Sequence, residues 1–381
     1  MADTAIEWCD SVWNPVRGCG IVSKGCTNCY AMKQAHRFSN AGGPYEGLTK
    51  LTAGGPVWTG KVRTVPEQLA VPLRWKKPRR VFVNSMSDLF HEDVPFEFIA
   101  SVFAVMSVTT RHTYQVLTKR PQRMLAFFRW ALDDAPPDSV FAWDRISDHW
   151  PANVPYASMH SNGGRWGYDN CGPAFPAENI WLGVSVEDQT AADERIPLLL
   201  QTPAAVRFIS AEPLLGPVVL PSGWLHGRFI DCPDETDDPE TDPCHGCDGN
   251  PRGGGDPCGA RRGPRLDWII VGGESGPGAR VCDVRWIRPI VTQCRAADVS
   301  VFVKQLGRFV IDRNDAGFEG DAESCWPAVD VNTEPYGYVS GGQGDDCRVL
   351  LRDRKGGDPD EWPEDLRVRE FPRTRAAGII E

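Results

Sequence analysis

Three observations predict an α/β fold built on a parallel sheet. Short apolar runs recur along the chain, each ends in polar residues, and most lead into a helical stripe. Val81, Phe82 and Val83 form an unbroken run, as in a strand buried on both faces. Repeated alternation of strand and helix specifies parallel βα units. Polar and charged residues gather at the C-terminal strand ends, where barrels and open α/β sheets place their sites.

The elements follow in order. Residues 6–15 predict a short first strand, with Trp8 and Trp13 packing near the centre. That strand leads into a loop holding Cys19, Cys26 and Cys29, spaced six residues and then two. Gly18, Gly20 and Gly25 let this loop wrap tightly. Residues 30–38 predict a helix, and the Gly-, Pro- and Thr-rich stretch 41–60 predicts a loop.

Residues 79–88 are the clearest strand, ending in Asn84, Ser85, Ser87 and Asp88. A helix capped by Asp93, with Pro95 in its first turn, comes next. Strand 114–119 ends in Lys119 and leads to helix 121–132. Strand 180–187 ends in Ser185, Glu187 and Asp188 and leads to helix 191–200. Strand 206–212 ends in Ser210 and Glu212, and strand 266–274 in Gly272, Gly273 and Glu274. Trp286, Ile287, Ile290, Val291 and Cys294 mark a helix before strand 299–303, which ends in Lys304 and Gln305. Any single polar strand end is as easily a helix cap as a ligand. Seven strand ends behaving alike favour a shared site.

Residues 133–179 lack either period and predict a loop-rich insertion over the rim. Residues 221–264 are a second insertion within the main unit 1–310. Its Cys232, Cys244, Cys247 and Cys258 fit a structural zinc site, with His226 and His245 as substitute ligands. An auxiliary iron–sulfur cluster is the competing reading of the same four cysteines. Residues 311–381 lose the βα rhythm and predict a covering segment, with short strands near 336–339 and 349–351.

The chain has 381 residues and a formal net charge of −10. That charge argues against general, salt-driven nucleic-acid binding but leaves room for a local basic patch. Arg74, Lys76, Lys77, Arg79 and Arg80 form one basic cluster, and Arg261, Arg262 and Arg265 another. No apolar run is long enough to span a bilayer. The N-terminus has neither the basic start nor the apolar core of a secretory signal, so a cytoplasmic location is expected. In a reducing compartment the 13 cysteines are metal ligands or buried thiols before disulfides.

Three thiolates in the first loop suit zinc or an iron–sulfur cluster. A closed zinc site needs four ligands, which Cys9 or His36 would have to complete. A cluster held by three cysteines leaves one iron open to another ligand.

These pieces resemble the phage Gp37/Gp68 family, a group without assigned function. The matching stretches include Trp13-Asn-Pro15, Cys29-Tyr30-Ala31, Asn84 to Phe90, Leu117 to Pro121, Ser210 to Leu215 and Gly272 to Gly276. A parallel partial barrel with a three-cysteine loop after its first strand is also similar to radical S-adenosylmethionine enzymes. That resemblance implies a partial (βα)6-type barrel in which Cys19, Cys26 and Cys29 hold a [4Fe–4S] cluster. It implies S-adenosylmethionine as cofactor, reductive cleavage to a 5′-deoxyadenosyl radical, and an electron donor. Ser85, Asp88, Glu187 and Glu212 become candidates for the cofactor's ribose or amine, and Lys119 and Lys304 for a carboxylate or phosphate. Gly272, Gly273 and Glu274 resemble the superfamily's glycine-rich strand end. The phage resemblance makes a nucleobase or nucleotide in DNA or RNA the expected substrate. A zinc-stabilised phage nucleic-acid-binding protein without catalysis is the alternative.

Overall fold

A computed structural model represents the chain, and it describes residues 4–132, 144–154, 176–227, 229–230, 261–313, 337–339 and 346–372. Seven strands form one sheet. They are β1 (Ser11–Trp13), β2 (Arg80–Val83), β3 (Thr113–Thr118), β4 (Ile180–Ser185), β5 (Val206–Ala211), β6 (Trp268–Gly272) and β7 (Ser300–Gln305). Their spatial order is their chain order, and every neighbouring pair is parallel. Parallel neighbours need crossovers, and long helices lie in four of the six. These are α2 (Phe96–Val108), α3 (Pro121–Leu132), α4 (Gln189–Gln201) and α5 (Val284–Ala296), with α1 (Tyr30–His36) after the cysteine loop. The fold is α/β, a partial parallel barrel, as the strand pattern predicts.

Period-two alternation divides the sheet residues between two cores. Val81, Val83, Val116, Leu182, Val184, Ile209, Val271 and Val303 pack with helix residues such as Ile99, Phe103, Phe127 and Ile290. The opposite face carries Phe82, Trp181, Phe208, Trp268, Ile270 and Phe302, joined by Trp8. Bulky rings fill this concave face. Gly183 makes room for one of them, because a Cβ there would lie 2.6 Å from the Phe208 ring.

The chain's end seals the sheet beyond β7. Residues 368–370 pair with it through Val303 N–H to Val368 O (2.8 Å) and Glu370 N–H to Val301 O (2.9 Å). Phe371 then packs on Trp268 and Phe302, under the Arg80 guanidinium at 4.2 Å. Arg369 reaches Glu7 at 3.4 Å, so this strap links β7 back to the segment before β1. A separate four-stranded sheet comprises Val281–Asp283, Phe309–Arg313, Asp346–Leu350 and Gly337–Val339. The last two fall near the short strands expected in the tail.

Several expectations change. Pro95, not Asp93, is the N-cap of α2, and the helix begins at Phe96. The stretch 41–60 holds a hairpin, Thr49–Thr52 against Gly55–Trp58, which its Gly and Pro content concealed. The basic residues Arg79 and Arg80 sit at the N-terminal end of β2, away from the rim. Arg80 pairs there with Asp10 at 3.0 Å, and Arg79 donates to Ser11 Oγ. Cys232, Cys244, Cys247 and Cys258 lie outside the described residues.

His112 carries a pH consequence. Its ring is fully buried, Nε2 lies 3.2 Å from the Pro72 carbonyl, and Nδ1 has no partner. Donation to that carbonyl fixes the neutral Nε2–H tautomer. Burial first, and then Arg111, pushes its pKa down from the usual 6.5 to about 4. The unfolded chain takes up this proton at a higher pH than the folded one. The contribution is therefore complete above 6.5 and is lost as pH falls towards about 4. Urea titrations across that window check it: wild-type stability falls with pH, and His112→Gln shows a flatter slope.

Candidate functional site

Cys19, Cys26 and Cys29 border a single cavity of about 280 Å³ at the C-terminal rim of the sheet. Each strand from β2 to β7 contributes to its wall. Asn84 and Ser85 follow β2, Lys119 follows β3, and Ser185 ends β4. Ser210 and Glu212 come from the end of β5, Gly273 and Glu274 follow β6, and Lys304 and Gln305 end β7. Ile6, Trp8, Phe82 and Leu117 give it an apolar lining continuous with the inner core.

The cysteine loop is braced by three carboxylate–arginine pairs. Beside Cys19, Asp88 Oδ2 accepts from Arg120 Nη1 at 3.1 Å, and the same nitrogen lies 3.9 Å from Cys19 Sγ. Arg120 also binds Glu92, and Thr118 and the Lys119 N–H donate to Asp88. Behind Gly25, Glu187 pairs with Arg195 at 2.8 Å. A Cβ on Gly25 would lie 3.1 Å from the Glu187 carboxyl group, which accounts for glycine there. Burial alone would raise the pKa of Glu187, but Lys119 at 3.9 Å and Arg195 outweigh it and hold it below the usual range. On the far side, Glu274 binds Arg280 through both oxygens at 2.8 and 3.0 Å and accepts from Asn28 at 3.0 Å. Arg280 then donates to Lys24 O at 2.8 Å. Burial would raise the Glu274 carboxyl too, and the Arg280 hydrogen bonds pull it down.

The predicted site residues thus fall into two groups. Ser85, Lys119, Glu212 and Lys304 line the cavity, with Lys304 Nζ 2.9 Å from Glu212 Oε1 and Ser210 Oγ donating to Glu212 Oε2 at 3.1 Å. The Lys304 contact is an ion pair without hydrogen-bond alignment, since Glu212 Oε1 is buried with no hydrogen-bond partner. Asp88, Glu187 and Glu274 mainly hold the loop, because a buried carboxylate needs a cationic partner and each has one. Glu187 and Gly272 do not border the cavity. Gly272 and Gly273 are small because β7 runs against them: added Cβ atoms would lie 2.9 Å from Gln305 O and 2.1 Å from Leu306 O.

Sequence reasoning passed over Arg120 and Asn28. Arg120 directly follows the chosen Lys119, and Asn28 lies inside the cysteine loop, so adjacency was the available signal. Asn84, which the sequence marks at the polar end of β2, sits at φ 60°, a left-handed conformation that asparagine tolerates, and its Nδ2 is buried beside the cavity without a partner among the described residues.

The donor set fits an iron–sulfur cluster. Three soft thiols border one cavity, and beside them the buried Asn84 Nδ2 has no hydrogen-bond partner among the described residues. Burial pushes the Cys19 thiol up to about 12 and the Cys29 thiol upward as well, so both keep their protons until a metal displaces them. Cys9 lies in the inner core, and His36 Nδ1 lies 3.1 Å from Thr49 Oγ1; neither borders the cavity. Among the described residues, no three His, Cys, Asp or Glu side chains close on a single-ion position. No helix among them is long and apolar enough to cross a membrane.

The Glu187–Arg195 pair gives a direct test of the brace. Arg195→Met leaves a buried carboxylate without its closest cation, and loss of about 3 kcal/mol is expected. Urea unfolding measures it, and a change below about 1 kcal/mol, the range of an exposed pair, would remove Glu187 from this role.

Two mutants of spore photoproduct lyase are similar in structure, one of them with bound AdoMet and dinucleoside spore photoproduct. Each is 10% identical, with 92% of this chain and 71% of that chain covered, at TM-scores of 0.34 and 0.31. No curated protein matches the chain. A family described as protein of unknown function, DUF5131, matches residues 3–349. The chain belongs to that family.

Proposed function

We propose that this protein is a radical S-adenosylmethionine enzyme that modifies a nucleobase or nucleotide. The observation that carries the reading is three cysteines bordering a cavity at the strand-end rim, with no further Cys or His among the described residues of its lining. Cys19, Cys26 and Cys29 would hold the [4Fe–4S] cluster, which with S-adenosylmethionine supplies radical hydrogen abstraction when bound. The chain's own residues bind and orient. Glu212, whose Oε1 lies 2.9 Å from Lys304 Nζ, is a carboxylate on the cavity wall able to take an ammonium group as a second partner, and Asn84 Nδ2 is a buried donor suited to a carboxylate or hydroxyl oxygen. Ser85, held by Asn14 at 3.3 Å, and Ser210 offer hydroxyls for a ribose. Lys119 and Lys304 place two partly exposed cations where a carboxylate or phosphate can reach them. Trp8, Phe82 and Leu117 exclude water from the deeper part. Each turnover that consumes an electron calls for an external electron donor.

Anaerobic reconstitution with iron and sulfide tests this. The expected product is brown, absorbs near about 400 nm as iron–sulfur charge transfer does, and releases 5′-deoxyadenosine and methionine from S-adenosylmethionine with a strong reductant. Cys26→Ala should lose both colour and cleavage while its unfolding curve stays two-state, because the βα units bury their own core. Wild-type protein that takes up zinc alone, or holds a cluster that never cleaves the cofactor, sinks the radical reading. Zinc alone in the three-cysteine loop would favour the binding-protein alternative.

A further inference from the structure

The cations of this acidic protein are unevenly placed. Residues 11–65 contain seven Lys and Arg residues and a single acidic one, Glu46, although the whole chain carries −10. This stretch forms the cysteine loop, α1 and the following hairpin, with a small core of Ala31, Met32, Ala35, Tyr45, Leu48 and Trp58. None of its seven cations shares an ion pair with a carboxylate among the described residues. The rim arginines Arg120, Arg195 and Arg280 are all paired. Unneutralised charge on one module of an acidic protein gives a local positive field.

Aromatic rings interleave with that charge. Helix α1 buries Ala31, Met32 and Ala35, so its outward stripe is Tyr30, Lys33, Gln34 and Arg37. Tyr30 is 54% exposed and Phe38, just beyond the helix, is 50% exposed. The Tyr30 hydroxyl donates to Ser85 O at 2.7 Å, which fixes its ring at the cavity's edge. Among the described residues, Lys33 Nζ has only the Pro277 carbonyl, at 3.5 Å, and Arg37 only Gln34 Oε1, at 3.2 Å. Cations for phosphates, flat rings for bases and a stripe leading to the cavity are the parts of a single-strand binding track.

We infer that the exposed face of α1, with Lys24 in the loop that leads into it, binds a nucleic-acid strand and leads it to the cavity. This rests on the nucleotide part of the proposed function and specifies a polymer as the substrate class. An acidic protein would answer the charge but leave the exposed rings without stacking partners.

Fluorescence anisotropy with labelled single-stranded DNA and RNA 20-mers tests the track, using the full chain without S-adenosylmethionine or reductant. Binding therefore stands or falls separately from cofactor cleavage. Affinity should fall with salt, and the Lys33→Glu/Arg37→Glu variant should bind at least about tenfold more weakly, with a log–log salt slope shallower by about 1.4. Lys76→Glu/Lys77→Glu makes the same charge change on exposed residues ahead of β2, at the opposite end of the sheet. It should bind as wild type. Phe38→Ala should weaken binding roughly tenfold with the slope unchanged, as loss of a stacking ring does. No binding at low salt, or equal losses in the two double variants, overturns the inference. Displacement by polyglutamate as efficient as by unlabelled oligonucleotide also overturns it and assigns the face to an acidic protein.

Discussion

Each carboxylate bracing the cysteine loop is neutralised by an arginine from a different part of the fold. Asp88 takes Arg120, Glu187 takes Arg195, and Glu274 takes Arg280. The loop has little regular structure of its own beyond one short turn, Lys24–Cys26. Its shape is imposed from the strand ends beneath it. Buried ion pairs contribute little net stability, since desolvation offsets their attraction, but breaking one is costly. They are therefore suited to fixing a geometry. Here they tie the loop to β2–β3, to β4 and α4, and to β6, so the thiols are held against three parts of the sheet.

The sheet can serve as that frame because its interior is solid. Trp268 touches Trp8, Trp181, Phe208 and Phe302, and Phe371 closes over it from the chain's end. Removing the ring at position 371 would open this packing at the end of the sheet opposite the cavity. The strap and the rim are thus two ends of one construction: rings fill the concave face, and charge is confined to the strand ends above them. Lower down, the buried Gln115 lies opposite Phe82, and its Nε2 donates to Trp8 O at 3.2 Å, since a buried polar group needs a partner.

The strands were legible because each is an apolar run with a polar stop, and all seven runs became strands of one sheet. The three cysteines were legible as a unit through their spacing, and they do border one cavity. The roles of the carboxylates were not. Asp88, Glu187 and Glu274 read as ligands because nothing local in the sequence pairs them. Their arginines lie 32, 8 and 6 residues further on, and only folding shows that Arg120 and Arg280 also reach the cysteine loop. The hairpin inside 41–60 was hidden for a different reason. Its core, Tyr45, Leu48 and Trp58, is completed by α1 rather than by an alternating pattern of its own. Contiguous Lys and Arg stand out in a sequence, while the seven cations between residues 11 and 65 are scattered singly and their grouping on one module emerges only on folding.

Charge at the mouth follows from these placements. Three thiolates beside three carboxylates would build up negative charge at the rim and oppose further anions. The arginines cancel the carboxylates in place, and Arg120 also lies 3.9 Å from Cys19 Sγ, where it favours the ionised sulfur that a metal requires. Inside the cavity Lys119 and Lys304 pair in turn with Glu187 and Glu212, and outside it the cysteine loop, α1 and the hairpin carry seven cations that share no ion pair among the described residues. Charge at the rim is thus balanced pair by pair, and the excess of cations lies on the segment that carries the cysteines although the whole protein is acidic.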